Sequence, residues 1–207
     1  MDCIFCDRSR SDVKDDILFE SSHFYVKACL ASITPGHVLL ISKDHYSCFG
    51  DLPPSLYEEF TKLKDILIQR IGERFCEPFL LEHGLWGQSV AHAHFHFTPL
   101  SGEGYTIPSI FEEMVYSSGV RYREGGLETL KDVFSSEGEY LAVGERERMF
   151  VCCVAGFSEE EWMGRLGYRQ FFQRKGLDVP VHWKYATVEH MEKDKEVRAL
   201  TKKVLGF

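Results

Sequence analysis

Short apolar runs bounded by turn residues punctuate the first hundred positions, and one of them alternates with period two. Asp16–Glu20 and Phe24–Ala28 read as two strands joined across Ser21-Ser22-His23 into a hairpin. The run Val38-Leu39-Leu40-Ile41 follows the turn signal Pro35-Gly36 and predicts a buried central strand. From about Ser55 to Arg74 the period changes: Leu56, Phe60, Leu63, Leu67 and Ile71 recur at spacings of three and four, with Glu58, Glu59, Lys62 and Lys64 off the stripe. That pattern predicts an amphipathic helix packed on a sheet, with Asp51 or Ser55 available as its cap. Pro78–Gly84 reads as a further strand. In His92-Ala93-His94-Phe95-His96-Phe97-Thr98-Pro99 every second residue is a histidine. On a strand His92, His94 and His96 share one face, about 6 to 7 Å apart, and Ala93, Phe95 and Phe97 take the other.

After Pro99 the pattern changes character. Ser101-Gly102-Glu103-Gly104-Tyr105 reads as a flexible linker, Ile107–Ser117 as a helix, and Gly119–Gly126 as a loop whose Arg121 and Arg123 face solvent. Leu127–Phe134 predicts a short helix. Glu139–Gly144 and Met149–Val154 predict a hairpin around Glu145-Arg146-Glu147-Arg148. A helix from Ser158 to Lys175 opens on the capping box Ser158/Glu161, and a charged helix covers Met191–Leu205.

Charge narrows the partners. A formal net charge of -8 argues against a nucleic-acid scaffold, although a local pocket can still hold a small anion. The start Met1-Asp2-Cys3-Ile4 has no basic leader followed by an apolar core, and no apolar run approaches the ~20 residues of a membrane span. Seven cysteines are an odd number in a chain large enough to need no disulfide staples. Reduced thiols or metal ligands, and a cytoplasmic setting, are therefore expected.

The remaining signals are chemical. A neutral imidazole serves as nucleophile, proton shuttle or metal ligand, so three on one strand face suggest chemistry or a metal rather than unrelated surface histidines. Cys3-Ile4-Phe5-Cys6 alone is a weak signal, open to a structural pair, a redox pair or half of a zinc site. Alternating histidines could also bind a transition metal facially.

The run His92–Thr98 with its lead-in Gly87-Gln88-Ser89-Val90 resembles the signature of the histidine triad (HIT) superfamily of nucleotide hydrolases and transferases; Thr98 departs mildly at the last position. Pro35-Gly36-His37 and Lys43-Asp44-His45 match the same family in order and spacing. The resemblance implies an α+β, HIT-like fold over residues 1–101, an antiparallel sheet with a long packed helix; residues 102–207 lie beyond it and read as a mixed α/β extension with no catalytic motif of its own. It implies attack by His94 on the α-phosphate of a phosphoramidate or dinucleoside polyphosphate, through a nucleotidyl-histidine. His96 would bond near that phosphate, His37 would fix a tautomer or orientation from behind, and Gln88 and Ser89 would contact phosphate or leaving group, with His83 in reach of substrate. His92 would either orient its neighbours through its ring N–H or complete a structural zinc site with Cys3, Cys6 and His45. No organic cofactor is implied, and a homodimer is. Under this resemblance a phosphorylase using inorganic phosphate and a zinc-stabilised, non-catalytic nucleotide-binding module are the alternatives. The facial transition-metal reading leaves Gln88-Ser89 and Pro35-Gly36-His37 without a purpose. One departure stands out: Cys29 occupies the position where relatives carry Asn or Asp for the ribose, and a thiol is a poor partner for hydroxyl groups.

Overall fold

The protein is described by a computed structural model covering residues 3–100, 106–146, 148–157, 168–180 and 183–206. Eight strands are joined by antiparallel ladders: β1 (Ile17–Glu20), β2 (Phe24–Ala28), β3 (Val38–Ser42), β4 (Pro78–Gly84), β5 (His94–Pro99), β6 (Arg121–Glu124), β7 (Tyr140–Gly144) and β8 (Met149–Cys153). Their order is β1-β2-β3-β5-β4-β7-β8-β6. The helices are α1 (Ser11–Lys14), α2 (Tyr57–Arg74), α3 (Ile107–Phe111), α4 (Leu127–Glu137), α5 (Tyr168–Arg174) and α6 (Val188–Leu205). This is the α+β architecture expected. The linker at 101–105 and the capping box at Ser158 and Glu161 lie outside the described residues.

Alternation along the strands sorts side chains onto two faces. On one, Phe24 and Val26, Val38 and Leu40, Leu80, Phe95 and Phe97, and Ala142 and Val151 form one apolar cluster with Phe60, Leu63, Leu67 and Ile71 of α2. The helical stripe is thus core, as its spacing predicts. On the opposite face, Tyr25, Leu39 and Ile41 cluster with Phe5 and Val13 at one end. At the other end Phe79, Leu81, Leu141, Val143, Phe150 and Cys152 pack under Phe111, Phe171 and Phe172. His94 and His96 stand between these two apolar patches, since Ile41 and Leu39 oppose them on β3 and Leu81 opposes His96 on β4.

The sheet runs through position 101: β7 pairs with β4 from Leu80↔Gly144 to Gly84↔Tyr140, so both strands of the second-half hairpin extend the first-half sheet. Gly84 permits this approach, because a Cβ there would lie 2.4 Å from the Tyr140 ring. The turn at Gly36 has φ +89, and a Cβ would meet Phe75 and Pro99 at 2.7 Å, so a glycine is needed twice over.

Three expectations need correction. Residues 121–124 are not loop but the edge strand β6, all four residues exposed; the ladder to β8 makes the strand, with the Tyr122 ring edge-on to Phe150 at 5.4 Å. The helix from Ile107 shifts to a π-helical turn over Glu112–Tyr116. The triad strand begins at His94, not His92, because His92 N–H bonds back to Val90 O at 2.8 Å and Ala93 N–H to Tyr46 O at 2.7 Å, off the regular ladder. Among the described residues no helix is long and apolar enough to cross a membrane.

Candidate active site

The tautomers of the buried histidines can be read from their hydrogen bonds. His94 Nδ1–H donates to the His92 carbonyl at 2.6 Å, which leaves the lone pair on Nε2. His37 Nδ1 accepts the Ile33 N–H at 3.2 Å, so its hydrogen sits on Nε2 and is donated to His96 Nδ1 at 3.0 Å. His96 in turn carries its hydrogen on Nε2. The chain of bonds therefore leaves a lone pair on His94 Nε2 and a hydrogen on His96 Nε2. The His94 and His96 ring centroids are 5.2 Å apart, and those of His83 and His96 are 6.2 Å apart.

Electrostatics keep this row uncharged. His94 is 5% exposed and His96 9%. Burial lowers the His94 pKa to about 4, opposed only in part by the bond to the His92 carbonyl. Burial also lowers His83 to about 4, and takes His37 and His96 well below the ordinary imidazole range. Four neutral imidazoles near one another avoid the mutual repulsion that any protonated pair would bring.

His92 stands apart. Its Nδ1 lies 3.3 Å from Cys3 Sγ and 3.5 Å from Cys6 Sγ, while Cys6 Sγ lies 3.3 Å from His45 Nδ1. One donor atom from each of Cys3, Cys6, His45 and His92 falls within 4.8 Å of all the others. Tetrahedral zinc, with Zn–S about 2.3 Å and Zn–N about 2.0–2.1 Å, separates sulfur and nitrogen ligands by roughly 3.5 Å. The donor set fits that ion. His92 Nε2–H donates to Ser42 O at 2.7 Å, the outer hydrogen bond that fixes a ligating imidazole with its Nδ1 lone pair inward. Burial, and then the neighbouring Cys3 thiol, push the Cys6 thiol up to about 11, a cost that a bound dication removes by stabilising thiolate. The His92 ring thus faces the thiols, and what it presents to His94 is its backbone carbonyl.

The other sequence-selected residues are less uniform. Gln88 Nε2–H reaches the same His92 carbonyl at 3.3 Å, and its buried Oε1 has no hydrogen-bond partner among the described residues. Ser89 is exposed. His83 Nδ1–H donates to Trp86 O at 3.2 Å. Cys29 is buried, donates to Leu30 O at 3.4 Å, and lies with His37 and His96 so that one donor atom of each is within 4.8 Å of the others. Burial pushes the Cys29 thiol up to about 11, so it stays protonated beside the histidines. Phe5 was not singled out by the pattern, yet its ring meets His92 edge-on at 5.8 Å and His94 at 5.3 Å. It lies between Cys3 and Cys6, so the same turn that gathers the thiols walls the His94 ring.

Residues 10–102 match the family model of the HIT domain. "Protein hit" of Bacillus subtilis is 29% identical over 107 residues, covering 49% of this chain and 73% of that protein. "Adenosine 5'-monophosphoramidase hnt1" of Schizosaccharomyces pombe is 27% identical over 105 residues, covering 51% of this chain and 79% of that protein. Among solved structures, a Zn-bound histidine triad family protein from Mycobacterium smegmatis superposes with a TM-score of 0.43 at 22% identity, over 50% of this chain and 78% of that one. The triad and its lead-in thus lie inside a segment, residues 10–102, that matches the HIT domain of the histidine triad superfamily.

Proposed function

We propose that the protein is a nucleotide hydrolase or nucleotidyl transferase in which His94 Nε2 attacks the α-phosphorus of a nucleoside phosphoramidate or dinucleoside polyphosphate. The observation that carries this reading is the 2.6 Å bond from His94 Nδ1–H to the His92 carbonyl, which holds the reactive nitrogen unprotonated in a buried site. A P–N bond forms as the bond from phosphorus to the leaving group breaks, and the leaving group departs with a proton. Water then attacks the same phosphorus, the P–N bond breaks, and a nucleoside monophosphate is released with His94 regenerated. His96 Nε2–H, oriented from behind by His37, donates to the phosphate as negative charge concentrates there. Gln88 and Ser89 lie on the loop that enters the site and serve phosphate or leaving group, with His83 at its border. Zinc held by Cys3, Cys6, His45 and His92 pins the N-terminal turn to the base of the triad; with four protein ligands it is structural. A homodimer through the sheet would have to use β1 or β6, because β7 of the same chain covers the edge of β4.

The test is turnover on a panel of adenosine and guanosine phosphoramidates and dinucleoside polyphosphates, with and without inorganic phosphate. Release of nucleoside monophosphate is expected, reduced by roughly a thousandfold or more in a folded His94→Asn variant. Dependence on phosphate would assign a phosphorylase instead. Nucleotide binding with no turnover on any member would leave only a binding module.

A further inference from the structure

The second half of the chain also reaches this site. We propose that Arg169, on α5, binds the anionic phosphate of the substrate; this rests on the nucleotide reading above. α5 is seated by Phe171 and Phe172, both fully buried in the cluster that includes Ile33 and Leu81. Leu81 opposes His96 across the β4–β5 ladder, so this cluster borders the triad. Two positions before Phe171, Arg169 Nη2–H donates to Ala31 O at 2.7 Å and Nη1–H to Pro180 O at 3.4 Å. Ala31 begins the short segment to Ile33, whose N–H holds the His37 ring.

Three observations single out this guanidinium. Its positive charge acts on His37, His83 and His96, helping to keep each neutral, and on the Cys29 thiol. Arg169 forms no ion pair with a described carboxylate, although the chain carries 32 acidic residues against 24 Lys and Arg. Two of its N–H donors are spent on carbonyls, and the rest of the fork has no partner among the described residues. A partly buried cation with donors to spare, beside neutral imidazoles, lacks only an anion, and an arginine fork matches two phosphate oxygens.

The rival explanation is that Arg169 merely ties the 31–33 segment to Pro180. Calorimetry on the full chain separates the two, with AMP and adenosine as ligands and wild type, Arg169→Met and Arg169→Lys as proteins. For the methionine variant AMP affinity should fall about ten- to a hundredfold, the worth of charge-assisted hydrogen bonds, while adenosine affinity changes by less than about twofold. Lysine, which keeps the charge without the fork, should fall between. Equal weakening of both ligands, or an unchanged AMP-to-adenosine ratio in a wild type that turns substrate over, would overturn the assignment and leave the nucleotide reading intact. If wild type binds neither ligand and turns over nothing on the panel, the nucleotide reading itself fails. Should Arg169→Met not fold, Arg169→Lys, which can still reach Ala31 O, decides by the same ratio.

Discussion

Replacing Glu82 with glutamine isolates the cost of a carboxyl group placed in the apolar layer between sheet and helices. Glu82 opposes Phe95 on β5 and Ala142 on β7, and is fully buried. Its Oε1 accepts the Phe49 N–H at 3.1 Å, and Oε2 is buried without a hydrogen-bond partner among the described residues. Burial raises its pKa from 4.5 to about 8, with the Tyr140 hydroxyl and the Phe49 N–H pulling back only part of the way. A carboxyl whose folded pKa is raised contributes its full stability below the unfolded value and loses it as pH rises towards the folded one. At about 1.4 kcal/mol per pH unit, wild type should lose about 3 kcal/mol to this group between about pH 5.5 and 8.5. Glutamine keeps an acceptor for Phe49 but cannot ionise. Its amide costs about 1–3 kcal/mol where Oε2 stood, at every pH alike. Urea unfolding of both proteins across that range should therefore show the difference in stability moving by about 3 kcal/mol in favour of Glu82→Gln as pH rises. Parallel profiles, within about 0.5 kcal/mol, would refute the burial argument.

Three further outcomes follow from the site and its supports. Because burial lowers the His94 pKa to about 4 and the neutral ring reacts, kcat/KM should stay level from neutral pH down to about 5 and fall as pH drops through about 4, as a pH–rate profile would show. Wild type purified without chelator should carry zinc near one equivalent by elemental analysis; Cys3→Ser or Cys6→Ser should lose it and melt several degrees lower, at about 2–4 °C per kcal/mol. Asp16, its side chain 2% exposed, is bridged by Arg198 and Lys202 from α6, so Asp16→Asn should cost about 3 kcal/mol in chemical unfolding, with Arg198 retained by Asp194 at 2.7 Å.

How much of this was legible in the sequence depends on how local each signal is. The shared face of His94 and His96, the central strand and the α2 stripe follow from spacing alone, because side-chain direction along an element is set by its period; His92, two residues before the strand starts, does not. The zinc set was legible only through resemblance: no periodicity connects Cys3 to His92, and a chain fold must bring them to 3.3 Å. That His92 presents its carbonyl, rather than its ring, to His94 was invisible, since it depends on two irregular bonds before β5 starts. β6 was missed because its pairing with β8 needs no apolar pattern. Nothing in the pattern pointed to Arg169, 75 positions beyond His94 on a helix whose Phe171 and Phe172 join the apolar cluster of Phe79 and Leu81 only in the folded chain.

The most direct measurement is the covalent state of His94 during turnover. Rapid mixing with an adenosine phosphoramidate, followed by quenching under mildly basic conditions that preserve a P–N bond, should yield intact protein heavier by one adenylyl group. Peptide mapping should place that group on His94, and the His94→Asn protein should show none. Turnover accompanied by no adduct in wild type, and persisting in His94→Asn, would contradict a nucleophilic role for this ring.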